Sequence, residues 1–211
     1  MTGAAARLVL ATHNAHKLGE LRDILCGRDG VVGLAPEEIV SAADLAAPEP
    51  VEDGVTFADN ALIKARALAG AAGVPVIADD SGLAVDVMGG APGIFSARWA
   101  GRHGDDAGNL DLLLAQLADV RDEHRGARFV CAAALVTPTG EETVQIGEMP
   151  GTLLRERRGS GGFGYDPILV PEGESRSAGE LSAAEKNAIS HRGKAFRALV
   201  PAIAAALAAR G

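Results

Sequence analysis

The stretch LVLATHNAHKLGELRDIL, residues 8–25, decides the fold class because it joins a buried strand to an amphipathic helix through a short polar turn. The apolar residues 8–11 indicate the strand, and residues 12–16 indicate the turn. After the turn, large apolar residues recur at the spacing of one helix face: Leu18, Leu21, Ile24 and Leu25. A strand that leads directly into a helix is typical of an α/β protein.

The rest of the chain repeats this alternation. Further strands are predicted at 74–78, 129–136, 143–147 and 168–170, and further helices after Thr56, around Leu110–Leu117, after Ser182 and at the end of the sequence. Two of these strands flank the turn TPTG, as in a hairpin, so the sheet is predicted to be mixed. Because no domain seam is visible, residues 1–211 are predicted to form a single domain.

Composition limits the classes of function. The formal net charge of −8 argues against a protein that coats nucleic acid, and a protein of this charge that handles phosphates needs local positive charge or a metal ion. The two cysteines, Cys26 and Cys131, lack metal-type spacing and fit a reducing cytoplasm. No apolar run suggests a signal peptide or a membrane span, so a cytoplasmic location without a membrane partner is expected.

The stretch GSGGFGYDP, residues 159–167, contains a G-x-G-x-x-G pattern that usually suggests a dinucleotide cofactor. The preceding residues LLRERR are too charged for a central strand, and Pro167 disfavours the start of a helix, so a Rossmann loop is excluded. We expect the glycines to let a flat ligand approach the backbone. Phe163 and Tyr165 would then stack on a base, and Asp166 would accept a hydrogen bond from its edge. The alternative is a glycine-rich surface hairpin.

The turn between the first strand and helix is a second candidate site, because α/β proteins place ligands at the carboxyl ends of strands. Lys17 falls in the first helical turn, where the helix dipole disfavours a cation unless an anion such as phosphate is bound. The alternative is a helix cap at Thr12 or Asn14 with a solvated lysine. A metal pair of His13 and His16 is disfavoured, since no third ligand of that kind is nearby in sequence.

Two further sets of residues carry chemistry. Asp79 and Asp80, followed by Ser81, are predicted at the end of a buried strand, where a divalent cation such as Mg²⁺ would offset their charge. An aspartate-rich capping turn is the alternative.

Near the last helices, four possible donors fall within seven residues and would bind phosphate and a carbonyl oxygen: Lys186, Ser190, His191 and Arg192. Their alternative role is to complement the dipole at the C-terminal end of a helix.

Taken together, these segments resemble the inosine/xanthosine triphosphate pyrophosphatases, which convert non-standard purine nucleoside triphosphates to the monophosphate and pyrophosphate. The resemblance rests on LATHNAHKLGEL, TFADNALIKARA, IADDSGLAVDVMGGAPGIFSARWAG, GGFGYDP and EKNAISHRGKA, which occur in family order over nearly the whole chain. It implies an α/β fold with an elongated mixed β-sheet flanked by helices, and two lobes with a nucleotide-binding cleft between them. It also implies Mg²⁺ as cofactor and a homodimer.

The resemblance assigns roles by position. Asp80 would bind the metal and serve as general base, with Asp79 in support. The substrate would be bound by Thr12, His13, Asn14, Ala15, His16 and Lys17 at the triphosphate, by Ser81, by Phe163, Gly164, Tyr165 and Asp166 at the base, and by Lys186, His191 and Arg192. Two positions depart from the family: His13 replaces a frequent glycine, and Val51 stands where relatives often carry a second metal-binding glutamate. Glu52 is the nearest substitute ligand.

The same sequence features are compatible with two other functions. One is a Maf-like nucleotide pyrophosphatase with a different base preference. The other is a purine nucleotide sensor without catalysis, which the adjacent carboxylates Asp79 and Asp80 disfavour because an anion sensor has no use for them without a metal.

Overall fold

The fold is that of a computed structural model, which describes residues 6–13 and 15–209, without the side chains of residues 15 and 16. The strands are β1 (Leu8–Leu10), β2 (Ile39–Ser41), β3 (Val76–Val85), β4 (Gly126–Val136), β5 (Glu142–Leu153) and β6 (Leu169–Pro171). The α-helices are α1 (Ala15–Leu25), α2 (Phe57–Ala72), α3 (Asp106–Gln116), α4 (Ala183–Ile189) and α5 (His191–Ala208). Strands and helices interleave, which confirms the predicted α/β class.

The strands form one six-stranded sheet in the order β2-β1-β3-β4-β5-β6. Strand β1 pairs in parallel with β2 and β3, whereas β5 pairs antiparallel with β6. The turn between β4 and β5 closes through hydrogen bonds from the Thr137 amide to the Glu141 carbonyl and from the Gly140 amide to the Thr137 carbonyl. The prediction of a mixed sheet containing a hairpin is therefore confirmed.

Strand β3 differs from its prediction. Asp79 and Asp80 were expected where the strand ends, but β3 continues through them to Val85. The strand tolerates Asp79, which is only 2% exposed, because cationic side chains of Lys17 and Arg192 lie against its carboxylate. The alternative of an aspartate-rich capping turn is therefore wrong.

The N-terminal caps of α2 and α4 lie where the sequence predicts them. Thr56 accepts a hydrogen bond from the Asp59 amide at the start of α2, and Ser182 and Glu185 form a capping box at the start of α4. The break after α4 falls at Ser190, so His191 and Arg192 open α5. His191 and Arg192 therefore lie outside α4, whereas Lys186 lies in its last turn, as the alternative role at the helix dipole requires.

The described residues divide into two compact units. The first unit comprises residues 6–80, 131–147 and 192–209, apart from residue 14, and its core includes Leu10, Leu21, Ile77, Phe196 and Leu199. The second unit comprises residues 81–130 and 148–191, and its core includes Leu83, Leu110, Leu113, Tyr165 and Ile168. Within the described part of the chain, no helix has both the length and the apolar character needed to cross a membrane.

Candidate functional site

The first unit holds a buried charge network around Asp79. The Lys17 ammonium lies 3.1 and 3.2 Å from the two carboxylate oxygens of Asp79. Arg192 donates from Nε to Asp79 Oδ2 at 3.2 Å and from Nη1 to Glu20 Oε2 at 2.7 Å. Because α1 and α5 each supply a cation to β3, this network connects three elements that are distant in sequence.

Asp79 is ionised in this network. Burial by itself would raise the pKa of Asp79, but the charges of Lys17, Arg192 and Lys64 outweigh burial and hold the pKa well below its usual range. The same attraction raises the pKa of the Arg192 guanidinium despite its burial. Asp79 is therefore a fixed anion that orients two cations.

Asp80, the next residue, has a different environment. The Asn60 amide donates from Nδ2 to Asp80 Oδ2 at 3.0 Å, and the Lys64 ammonium lies 3.6 Å from Oδ1. Burial raises the pKa of Asp80, and the neighbouring carboxylates of Glu52 and Asp79 add to the increase, which Lys64 and Asn60 only partly offset. Asp80 therefore holds a proton more readily than an exposed aspartate does.

Helix α2 positions both partners of Asp80. Asn60 and Lys64 are four residues apart, so they project from the same face of the helix. The Gly54 amide donates to Asn60 Oδ1 at 2.9 Å, which turns Nδ2 toward Asp80. A Cβ at Gly54 would lie 2.6 Å from Asn60 Oδ1, so the close approach requires glycine at this position.

The carboxylates near Lys64 suit a hard cation. The Lys64 ammonium lies 3.2 Å from Glu52 Oε1 and 3.6 Å from Asp80 Oδ1, so two carboxylates share one positive charge. Over the residues that the structure describes, no three His, Cys, Asp or Glu side chains form a metal cluster. Mg²⁺ does not need such a cluster, because it binds through one or two carboxylates together with substrate phosphates and water. The carboxylates of Asp80 and Glu52, the predicted ligands, therefore have the chemistry that Mg²⁺ binding needs.

The second unit contains a pocket of about 100 Å³ that we call the aromatic pocket. Phe163 is half-exposed at this pocket, with the Lys186 ammonium 5.0 Å from its ring centroid. Lys186 also lies 2.5 Å from Asp166 Oδ2, and Phe129 stacks on His191 with centroids 5.0 Å apart. Aromatic rings and the Lys186 ammonium thus lie together, an arrangement that suits the binding of a base.

The loop that carries Phe163 is fixed by specific hydrogen bonds. Asp166 Oδ2 accepts from the Phe163 amide at 2.8 Å, and Asp106 Oδ2 accepts from the Gly164 amide at 2.9 Å. Tyr165 is buried and donates from its hydroxyl to the Ser96 carbonyl at 2.9 Å. Tyr165 therefore supports the loop through its ring and its hydroxyl.

The glycines of this loop have a structural reason. Gly162 has φ +74°, and a Cβ there would collide with the Asp166 carboxylate. At Gly159, where φ is +79°, a Cβ would collide with the Gly179 carbonyl. Residues 162–168 form bends and turns, so the prediction that no helix begins after GSGGFG is confirmed. That the glycines also admit a flat base remains a prediction.

The model of the Ham1 family matches residues 8–202. The chain belongs to the Ham1 family. It is 65% identical over 198 residues to the dITP/XTP pyrophosphatase of Streptomyces coelicolor, with 93% of this chain and 96% of the relative covered. It is 57% identical over 205 residues to the protein of the same name from Corynebacterium efficiens, with 94% and 97% covered.

Solved structures of Ham1 proteins share the fold. A nucleoside-triphosphatase / dITP/XTP pyrophosphatase from Mycobacterium abscessus superposes with a TM-score of 0.74 at 52% identity, covering 92% of this chain and 99% of that chain. A HAM1 protein from Coxiella burnetii superposes with a TM-score of 0.83 at 37% identity, covering 95% and 100%. The predicted α/β architecture is therefore that of the Ham1 family.

The residues predicted for a Ham1 site fall into two groups. Lys17 and Arg192 meet at Asp79, and Asp80 shares Lys64 with Glu52. The aromatic pocket is lined by Ser81, Phe163, Gly164, Tyr165, Asp166, Lys186 and His191. Arg192, which was expected to grip phosphate or a carbonyl oxygen of the substrate, lies in the Asp79 network.

The turn after β1 is described only in part. Thr12 is half-buried, with its amide bonded to the Leu10 carbonyl, and His13 donates from Nε2 to the Ala47 carbonyl at 2.9 Å. Asn14 lies outside the described residues, and the side chains of Ala15 and His16 are likewise not described. Their contacts with a triphosphate therefore remain predictions.

Sequence reasoning missed three side chains of this Ham1 site. Asn60 and Lys64 hold Asp80, and Asp106 holds the amide of Gly164. A signal for the first two existed, since an asparagine and a lysine four residues apart interrupt the apolar face of TFADNALIKARA. Asp106 had no such signal, because it reaches a loop 58 residues away in sequence.

Proposed function

We propose that this chain hydrolyses non-canonical purine nucleoside triphosphates, namely ITP, dITP and XTP, to the monophosphate and pyrophosphate with Mg²⁺. Membership in the Ham1 family and the names of its relatives support the reaction class. The observation that carries the proposal is the pair Asp79 and Asp80, in which one carboxylate is a fixed anion and its neighbour has a raised pKa. Carboxylates with environments that separate their pKa values are typical of acid-base sites.

Positive charge in the first unit suits a triphosphate, which carries about four negative charges. Lys17 stays oriented by Asp79, and its side chain retains 20% exposure, so its ammonium can also contact phosphate oxygens. Lys64 offers a second ammonium, and the charges of Asp80, Asp79 and Glu52 raise its pKa even though burial opposes them. Lys64 is therefore charged when a substrate binds.

Asp80 is the residue that we assign to proton transfer. Asn60 fixes the orientation of its carboxylate, and in the metal-free protein burial raises its pKa above that of an exposed aspartate, which makes it a better proton acceptor. Water attacks the α-phosphorus and loses its proton to Asp80, while the bond from that phosphorus to the bridging oxygen breaks and pyrophosphate leaves. A Mg²⁺ ion held by Asp80 and Glu52 would neutralise phosphoryl charge and acidify its bound water.

The aromatic pocket is the proposed base site. Phe163 offers a face for stacking, while the Lys186 ammonium offers donors. A 6-oxo purine pairs with such donors, whereas the 6-amino group of adenine would leave them unpaired. When a substrate analogue leaves a buried donor unpaired, its kcat/KM can be lower than that of the substrate by on the order of 10⁴-fold.

The test is a panel of triphosphates assayed with Mg²⁺ and with chelator, scored for pyrophosphate and orthophosphate. We expect ITP, dITP and XTP to release pyrophosphate, dATP to react poorly, and chelator to abolish turnover. Faster hydrolysis of dTTP or UTP would favour a Maf-like activity, and tight binding without any product would favour a sensor.

We also propose that the protein acts in the cytoplasm as a homodimer on small-molecule nucleotides, without nucleic-acid or membrane partners. Its acidic net charge of −8 supports the absence of a nucleic-acid partner. Light scattering after size-exclusion chromatography tests the oligomer: twice the chain mass supports the dimer, and a single chain mass refutes it.

A further inference from the structure

Asn109 is a buried polar residue of the aromatic pocket. It lies in α3, is 1% exposed and lines the pocket together with Phe163 and Tyr165. Asparagine is seldom fully buried unless its amide is hydrogen-bonded. The two ends of this amide therefore have to be considered separately.

The orientation of the amide is set by the backbone. The Ala100 amide donates to Asn109 Oδ1 at 2.7 Å, which fixes the oxygen end. The opposite end, Nδ2, is buried and finds no hydrogen-bond acceptor among the residues that the structure describes. Asn109 thus lines the pocket with its amide in a fixed orientation, in which Nδ2 is a buried donor that cannot rotate away without breaking the bond from Ala100.

One oxygen of each carboxylate that lines the pocket is already hydrogen-bonded. Asp166 Oδ2 is bound to the Phe163 amide and to Lys186, and Asp106 Oδ2 is bound to the Gly164 amide. A buried donor without a partner is costly for the protein alone, and a ligand that brings an acceptor removes this cost. An acceptor on the base is therefore favoured here, and a second donor is disfavoured.

Purine bases differ in what they present to such a donor. Hypoxanthine, xanthine and guanine all carry an oxygen at position 6, so a donor at position 6 cannot separate them. At position 2, xanthine carries an oxygen, hypoxanthine a hydrogen and guanine an amino group. A donor at position 2 accepts xanthine, tolerates hypoxanthine and opposes guanine.

We propose that Asn109 Nδ2 faces position 2 of the bound base and is the specificity-determining donor that favours xanthine over guanine. This inference rests on the proposed function, because it assigns a task within the same base pocket. It identifies a physical basis by which the enzyme would spare GTP, which shares the 6-oxo group of ITP and XTP.

The test replaces Asn109 by Asp, which preserves the shape of the side chain and the acceptor for the Ala100 amide. The substitution changes the donor into an acceptor, which suits the 2-amino group of guanine and opposes the 2-oxo group of xanthine. We expect the ratio of kcat/KM for GTP to that for XTP to rise by about 100-fold or more. The ratio of inhibition constants for GMP and XMP should shift in the same direction without any chemical step.

Asn109→Leu separates loss of the donor from gain of an acceptor. It should reduce the preference for XTP over ITP about tenfold or more, without the gain for GTP that the Asp variant shows. Thermal unfolding of both variants identifies any general loss of folding.

The outcomes distinguish the two proposals. Wild-type protein that releases no pyrophosphate from ITP or XTP refutes the proposed function. Wild-type protein that is active, together with a folded Asn109→Asp variant whose GTP-to-XTP ratio is unchanged, refutes the role of Asn109 alone.

Discussion

Asp79 and Asp80 are consecutive residues of β3, yet their carboxylates occupy opposite electrostatic environments. Lys17 and Arg192 contact Asp79 and hold its pKa down, whereas burial and the neighbouring carboxylates raise the pKa of Asp80. Successive side chains of a strand point to opposite faces, so one aspartate can face a cationic cluster while the next faces Asn60 and Lys64. This division assigns charge compensation to Asp79 and proton transfer to Asp80.

Replacing Asp80 by Asn should lower kcat for dITP by roughly 10³-fold, because the amide can neither accept the proton nor bind a metal as a carboxylate does. The fold should survive, since the substitution removes a charge that burial disfavours. Circular dichroism and the release of pyrophosphate measure the two effects. Near-normal release from a folded variant would remove Asp80 from the mechanism.

Replacing Asp79 by Asn should mainly reduce stability, by about 3–5 kcal/mol at neutral pH, because Lys17 and Arg192 would be left buried with less compensation. Denaturant unfolding at pH 7 gives this difference. Asp119→Asn, at an exposed carboxylate, is the matched control and should change stability by less than about 0.5 kcal/mol. Equal stabilities of the Asp79 variant and the control would contradict the proposed network.

The same pair predicts a pH dependence. The folded pKa of Asp79 lies below its ordinary value of 3.8, so its stabilisation is complete above that pH and is lost as the pH falls toward the folded pKa. The difference in unfolding free energy between wild type and Asp79→Asn should therefore be constant near neutral pH and shrink below about pH 4. If this difference in unfolding free energy instead grew as the pH fell, the pKa of Asp79 would be raised by folding and the prediction would be wrong.

Replacing Gly54 by Ala should lower kcat through Asn60, because the new Cβ would lie 2.6 Å from Asn60 Oδ1 and displace the amide that orients Asp80. Gly70→Ala is the matched control, since Gly70 is exposed in α2 with no atom near its added Cβ. That control should keep full activity and gain up to about 1 kcal/mol of stability from helix propensity. Equal activity of both variants would show that Asn60 does not position Asp80.

Much of the fold could be predicted because it depends on local signals. The apolar spacing after Thr12 predicted α1, and the caps at Thr56 and Ser182 marked the starts of α2 and α4. The length of β3 was missed, since adjacent aspartates usually end a strand and the cations that neutralise Asp79 come from distant segments. Local sequence propensity cannot predict these cationic partners, because they approach Asp79 only in the folded protein.

The candidate site was predicted unevenly for the same reason. Residues within recognisable segments, such as Lys17, Phe163 and Lys186, were identified from the sequence. The orientation of Asn109 depends on the Ala100 amide, nine residues earlier, and its importance depends on the pocket around it. Burial and hydrogen-bond partners decide such roles, and neither is visible in a single sequence.

The central claim is that water attacks the α-phosphorus of an oxo-purine triphosphate, and isotope labelling tests it directly. Wild-type protein is incubated with dITP and Mg²⁺ in ¹⁸O-labelled water, and the ¹⁸O content of each product is measured by mass spectrometry. We expect equal amounts of dIMP and pyrophosphate, with one ¹⁸O atom in dIMP. Label in pyrophosphate, or orthophosphate as the first product, would contradict it.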